Sequence, residues 1–127
     1  MIYIDMVTLK TFMEKVLIID DEVDLCLLMK TFFNQKKQYV VELAHTLNDG
    51  LSKIDQFSPD IVFLDNNLPD GLGWDHAREI LERHPRVKLN LISAYHPNLP
   101  HVKITPNLKI WEKPISLKAI DSYLLTK

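Results

Sequence analysis

Residues 16–21 read Val16-Leu17-Ile18-Ile19-Asp20-Asp21, four apolar side chains in a row closed by two acids. A run that short and that apolar is expected of a strand covered on both faces, as strands of parallel sheets are. The form recurs along the chain. Ile61-Val62-Phe63-Leu64 ends at Asp65, Val87 to Ile92 ends at Ser93, and Leu108 to Trp111 precedes Lys113-Pro114. Tyr39-Val40-Val41-Glu42-Leu43 reads as the remaining strand.

Helical periodicity fills most of the gaps. Leu25, Leu28, Met29 and Phe32 recur at i, i+3, i+4 and i+7, one face of a helix. Thr46 followed by Asp49 marks a second helix start, with Leu51, Ile54 and Phe57 as its apolar stripe. Ala77, Ile80 and Leu81 mark a third. Ser116 is placed to cap a last one carrying Leu117, Ile120 and Leu124. Segment 94–107 breaks the rhythm, because Pro97, Pro100 and Pro106 fall where another helix belongs. Proline in a helix interior costs about 3 kcal/mol, so a loop with at most one helical turn is expected there.

Strands separated by helices imply parallel pairing with right-handed crossovers, hence an α/β fold with a doubly wound five-stranded parallel sheet. A chain of 127 residues suits one such domain. We place an N-terminal extension at 1–14, in which Leu9, Phe12 and Met13 are helix-spaced and suited to lying on the domain surface or to self-contact, and the domain at 15–127. Fifteen basic against seventeen acidic side chains give a formal charge of −2, no footprint for direct nucleic-acid binding. No apolar run reaches the roughly 18 residues of a membrane span. The N-terminus lacks the basic and greasy regions of a secretory signal, and the single Cys26 cannot form an internal disulfide. A soluble, cytoplasmic protein is expected, with Cys26 a small apolar residue on its helix.

Ligands of doubly wound sheets bind at the carboxyl ends of the strands. Here those ends carry Asp20, Asp21, Asp65, Ser93 and Lys113, all polar and each just after an apolar run. Three carboxylates at one edge repel unless a cation or protons intervene, and hard ions such as Mg²⁺ choose oxygen ligands. With a lysine ammonium and a serine hydroxyl nearby, the set suits phosphoryl transfer. Asp65, at the end of the central strand and before a turn-prone loop, is the candidate nucleophile.

The chain resembles the response-regulator receiver domains of two-component signalling, over roughly residues 15–126. The matching pieces are Val16 to Glu22, Asp65-Asn66-Asn67-Leu68-Pro69-Asp70-Gly71-Leu72-Gly73, Ile92-Ser93-Ala94 and Glu112-Lys113-Pro114. Asp65, Pro69 and Gly73 meet the pattern Asp-x₃-Pro-x₃-Gly. The resemblance implies a flavodoxin-like sheet of order 2-1-3-4-5, with the fourth helix short or missing, in a stand-alone receiver.

It also implies that Asp65 accepts a phosphoryl group from a sensor histidine kinase or a histidine phosphotransfer protein. Mg²⁺ would be bound by Asp21 directly, by Asp20 through water, by Asp65, and by the backbone carbonyl of Asn67. Ser93 would hold a phosphoryl oxygen, and Lys113 would pair with the group, next to a cis Lys113-Pro114 bond. Asn67 and Tyr95 fall where the family sets the lifetime of the acyl phosphate. Output would pass through contacts with a protein target or a homodimer, without conventional enzymatic turnover.

Two departures bear on output: Ile110 stands where the family usually has Tyr or Phe, and prolines crowd 94–107. Trp111 should point to the other face of its strand from Ile110. Asn66 is polar where the family is usually apolar, and is expected to rest in the site or bind water. The histidines, including the pairs His76/His84 and His96/His101, lack partners for a tetrahedral metal set and read as surface residues. Trp74 and Trp111 read as packing residues, and Glu22, Asp70 and Asp75 as solvated turn and helix-start charges. Two other functions remain open: a receiver-like interaction module independent of phosphorylation, and a phosphohydrolase of the haloacid-dehalogenase type. The latter lacks its Asp-x-Asp, since Asp20-Asp21-Glu22 does not supply it.

Overall fold

A computed structural model of the chain describes residues 13–94 and 105–125. Five strands, β1 (Glu14–Ile19), β2 (Tyr39–Ala44), β3 (Ile61–Asp65), β4 (Lys88–Ser93) and β5 (Leu108–Glu112), form one sheet. Every pairing is parallel and the order is β2-β1-β3-β4-β5, the arrangement anticipated from the sequence. Expectations concerning residues 1–12, a helix between β4 and β5, Tyr95, His96, Pro97, Pro100 and His101 lie outside the described residues.

Alternation along each strand sends side chains to two separate cores. Val16, Ile18, Ile61, Phe63 and Ile92 face helices α1 (Val23–Gln35) and α4 (Leu117–Leu125). Leu17, Ile19, Val62, Leu64, Leu89 and Leu91 face α2 (Leu47–Phe57) and α3 (Ala77–Arg83). Both faces of the central strands are therefore dry, which is why their sequence reads as unbroken apolar runs. Burying a side chain such as Phe33 or Phe63 completely contributes about 1.5–3 kcal/mol.

Two of the helices, α2 and α4, start at side-chain caps. Thr46 Oγ1 accepts from Asp49 N–H at 3.1 Å and Ser116 Oγ from Ala119 N–H at 3.1 Å. The face of α1 needs correction, because Cys26, Met29 and Phe33 are buried whereas Leu28 is 55% exposed. Leu25, Leu27 and Leu28 offer competing helical stripes, so periodicity alone could not choose among them. The loop after Asp65 is also more regular than its composition suggests. It holds a two-residue antiparallel hairpin, Asn67–Leu68 against Gly71–Leu72, and then a 3₁₀ turn, Gly73–His76.

Candidate functional site

Parallel register carries three polar side chains to one rim. Asp20 follows β1, Asp65 closes β3 opposite Ile92, and Ser93 closes β4 opposite Glu112. Lys113 follows β5, and its N–H donates to Ser93 O at 2.8 Å, just before the cis bond to Pro114. Asp20, Asp65 and Ser93 are buried, Asp21 is exposed, and Asn67 opens the short hairpin two residues beyond Asp65.

Carboxylate oxygens of Asp20, Asp21 and Asp65 all lie within 4.8 Å of one another. Lys113 Nζ reaches into this group, 3.1 Å from Asp20 Oδ2 and 3.6 Å from Asp65 Oδ1. Asp20 divides its work. Its Oδ1 accepts the Glu22 N–H at 2.8 Å, while its buried Oδ2 has the ion pair but no hydrogen-bond donor. Burial and then the Asp20 charge push Asp65 up to about 6, against the pull of Lys113. Burial likewise raises Asp20, opposed by the Glu22 N–H and Lys113. Burial works against the Lys113 charge too, but Glu22, Asp20 and Asp65 outweigh it and hold the ammonium above its usual range.

A buried carboxylate oxygen without a donor, beside two further carboxylates, fits a hard divalent cation such as Mg²⁺. Asp20, Asp21 and Asp65 form the one such group among the described residues. Two of the described histidines are engaged elsewhere: His76 Nδ1 lies 3.4 Å from Glu79, and His84 Nε2 lies 3.3 Å from Asp55.

Several supporting residues escaped the sequence reading. Glu22 is the exposed helix-start charge that was expected, but its Oε1 also accepts from Lys113 Nζ at 2.6 Å. Asp70 is an exposed turn charge, as expected, with a further role. Its two oxygens accept the N–H groups of Leu47 and Asn48 at 2.7 and 2.8 Å, capping α2 from the loop. The Asn66 side chain is used within the loop, where its Oδ1 accepts the Trp74 N–H at 3.1 Å at the start of the 3₁₀ turn. Backbone Asp20 O collects the Cys26 thiol at 3.2 Å and His45 Nδ1 at 2.9 Å. A carbonyl only accepts, so His45 holds a proton on Nδ1 there. Burial, followed by the Asp20 charge, pushes the Cys26 thiol up to about 12. None of these long-range contacts leaves a local sequence signal, apart from the acid-rich setting of Glu22.

Gly73 has a signal and a reason. A Cβ there would overlap the carbonyl oxygen of Asp65, while its N–H donates to Asn66 O at 2.9 Å. The loop can fold back under the acid only without a side chain at that position.

A parallel α/β sheet with acids after its first and third strands and a lysine after its fifth describes a receiver. The family of response regulator receiver domains matches residues 16–120, and the chain belongs to that family. It is 30% identical over 82 residues to the chemotaxis protein CheY of Listeria monocytogenes, covering 65% of this chain and 69% of that one. It is also 30% identical over 82 residues to the response regulator PilR of Pseudomonas aeruginosa, of whose length the match spans only 18%, against 65% of this chain. The response regulator TrrA of Thermotoga maritima, solved in complex with Mg²⁺-BeF, superposes with a TM-score of 0.74 at 23% identity. That superposition covers 90% of this chain and 98% of the other. No helix among the described residues is long and apolar enough to cross a membrane.

Proposed function

We propose that Asp65 accepts a phosphoryl group from a phosphohistidine on a partner kinase or phosphotransfer protein, and that the phosphorylated form signals through protein contacts. The observation that carries this reading is the set of three carboxylates within 4.8 Å with Lys113 Nζ 3.6 Å from Asp65. An Asp65 oxygen attacks phosphorus, the P–N bond breaks, and the imidazole leaves with the bonding pair. Asp20, Asp21, Asp65 and the Asn67 carbonyl would hold Mg²⁺, which supplies charge neutralisation for the approaching anions. Lys113 donates to one phosphoryl oxygen and the Ser93 hydroxyl to another. Asp65 must be ionised to attack, and the Lys113 ammonium opposes the burial that holds its proton.

The test is the intact mass after incubation with a small-molecule phosphodonor and Mg²⁺. One added phosphoryl group, lost in Asp65→Asn and with a chelator, is the expected result. Absence of an adduct in the unmodified protein would replace this reading with a phosphorylation-independent binding module.

A further inference from the structure

Lys113 Nζ is not centred on the site. It sits 2.6 Å from Glu22, 3.1 Å from Asp20 and 3.6 Å from Asp65. The side chain of Glu22 is 58% exposed, whereas those of Asp20 and Asp65 are 0% and 4% exposed, so the shortest contact draws the ammonium outward. Nothing at the start of α1 competes for the Glu22 carboxylate, which makes no cap hydrogen bond although Glu22 is the residue that precedes the helix.

We propose that Glu22 is a positioning residue that holds Lys113 off Asp65 until a phosphoryl oxygen takes the ammonium. This rests on Asp65 being the phosphoryl acceptor. The Lys113 backbone is anchored, because its N–H bonds Ser93 O at 2.8 Å, so only the side chain need swing. A phosphoryl group carries about 1.5 to 2 negative charges and outcompetes a single carboxylate for the ammonium. Glu22, already half in water, returns to solvent at little cost. Glu22 thus lowers the affinity of the site for a phosphoryl group by the strength of the contact that must be broken.

Beryllofluoride, a phosphoryl mimic, tests this by calorimetric titration at saturating Mg²⁺. Glu22→Gln should bind it about two- to fivefold more tightly than the unmodified protein, the range to which an exposed ion pair converts. A gain in affinity cannot come from a merely structural role. Asp24→Asn removes an equal charge from the same helical turn and should leave the affinity unmoved. Equal tightening in Asp24→Asn would reduce the effect to general charge relief and overturn the proposal. Unchanged or weaker binding by Glu22→Gln, with the unmodified protein binding normally, would overturn it alone. No binding by the unmodified protein would overturn both this proposal and the phosphoacceptor reading.

Discussion

The indole N–H of Trp111 donates to Oδ1 of Asn90 at 2.9 Å, joining β5 to β4 through a part-buried polar bond. Asn90 is 1% exposed and spends its amide on the carbonyls of Val62 and Lys88, both at 3.2 Å. Trp111 also packs edge-on against Tyr123 with ring centroids 5.7 Å apart. Ile110 faces the α2–α3 core and Trp111 the α1–α4 core, so the indole is held on the face opposite the position where receivers usually carry a mobile ring.

Breaking that bond from one side should be costly. Trp111→Phe strands Asn90 Oδ1 in the core, an expected loss of about 1–3 kcal/mol. The double variant Trp111→Phe with Asn90→Leu should recover part of the loss. Urea unfolding checks this: the midpoint of Trp111→Phe falls with an unchanged slope, and that of the double variant lies between it and the unmodified protein.

Gly73→Ala should cost about 1–3 kcal/mol, as overpacking does, because its Cβ would overlap the Asp65 carbonyl. The displaced backbone belongs to Asp65, the proposed phosphoacceptor. Phosphorylation measured by mass, under conditions where the variant is fully folded by circular dichroism, should therefore slow as well.

Asp65 should make the metal-free protein less stable above pH 6. Its folded pKa, about 6, exceeds the usual 3.8, so the native state binds more protons than the unfolded chain between these values. Stability is then lost as pH rises through that window. Asp65→Asn, melted without divalent ions, should be more stable than the unmodified protein at pH 7 by about 1–3 kcal/mol. The gain should vanish near pH 4, where Asp65 is protonated anyway, and adding Mg²⁺ should narrow the gap at pH 7.

Asp70 should behave in the opposite sense. Two backbone N–H bonds, from Asn48 and Leu47, hold its carboxyl below the usual 3.8. Its contribution is present above that value and is lost as pH falls through the lower folded pKa. Asp70→Ala should lower the melting temperature at pH 7, and the difference from the unmodified protein should close at strongly acidic pH.

Legibility differed by the range of the interaction. Five strands and four helices announced themselves because their signals are local: Val16–Ile19 is doubly covered, and Thr46 and Ser116 cap their helices. The strand-end residues were legible because each apolar run stops on a polar side chain, and parallel pairing then gathers the stops. Contacts between distant segments left no such trace. Asp70 reaches Leu47 across 23 residues and Lys113 reaches Glu22 across 91, and no periodicity reports either. The buried face of α1 failed for a different reason, an excess of leucines rather than a lack of signal.

Lys113 is supplied by the last strand of the sheet, some 48 residues after Asp65. During synthesis, Asp20, Asp21 and Asp65 therefore emerge long before the cation that offsets them. A nascent chain that ends at β4 holds mutually repelling carboxylates and no ammonium beside them. Docking of β5 brings the Lys113 ammonium to Asp20 and Asp65, so relief of that repulsion and closure of the sheet edge arrive in one event.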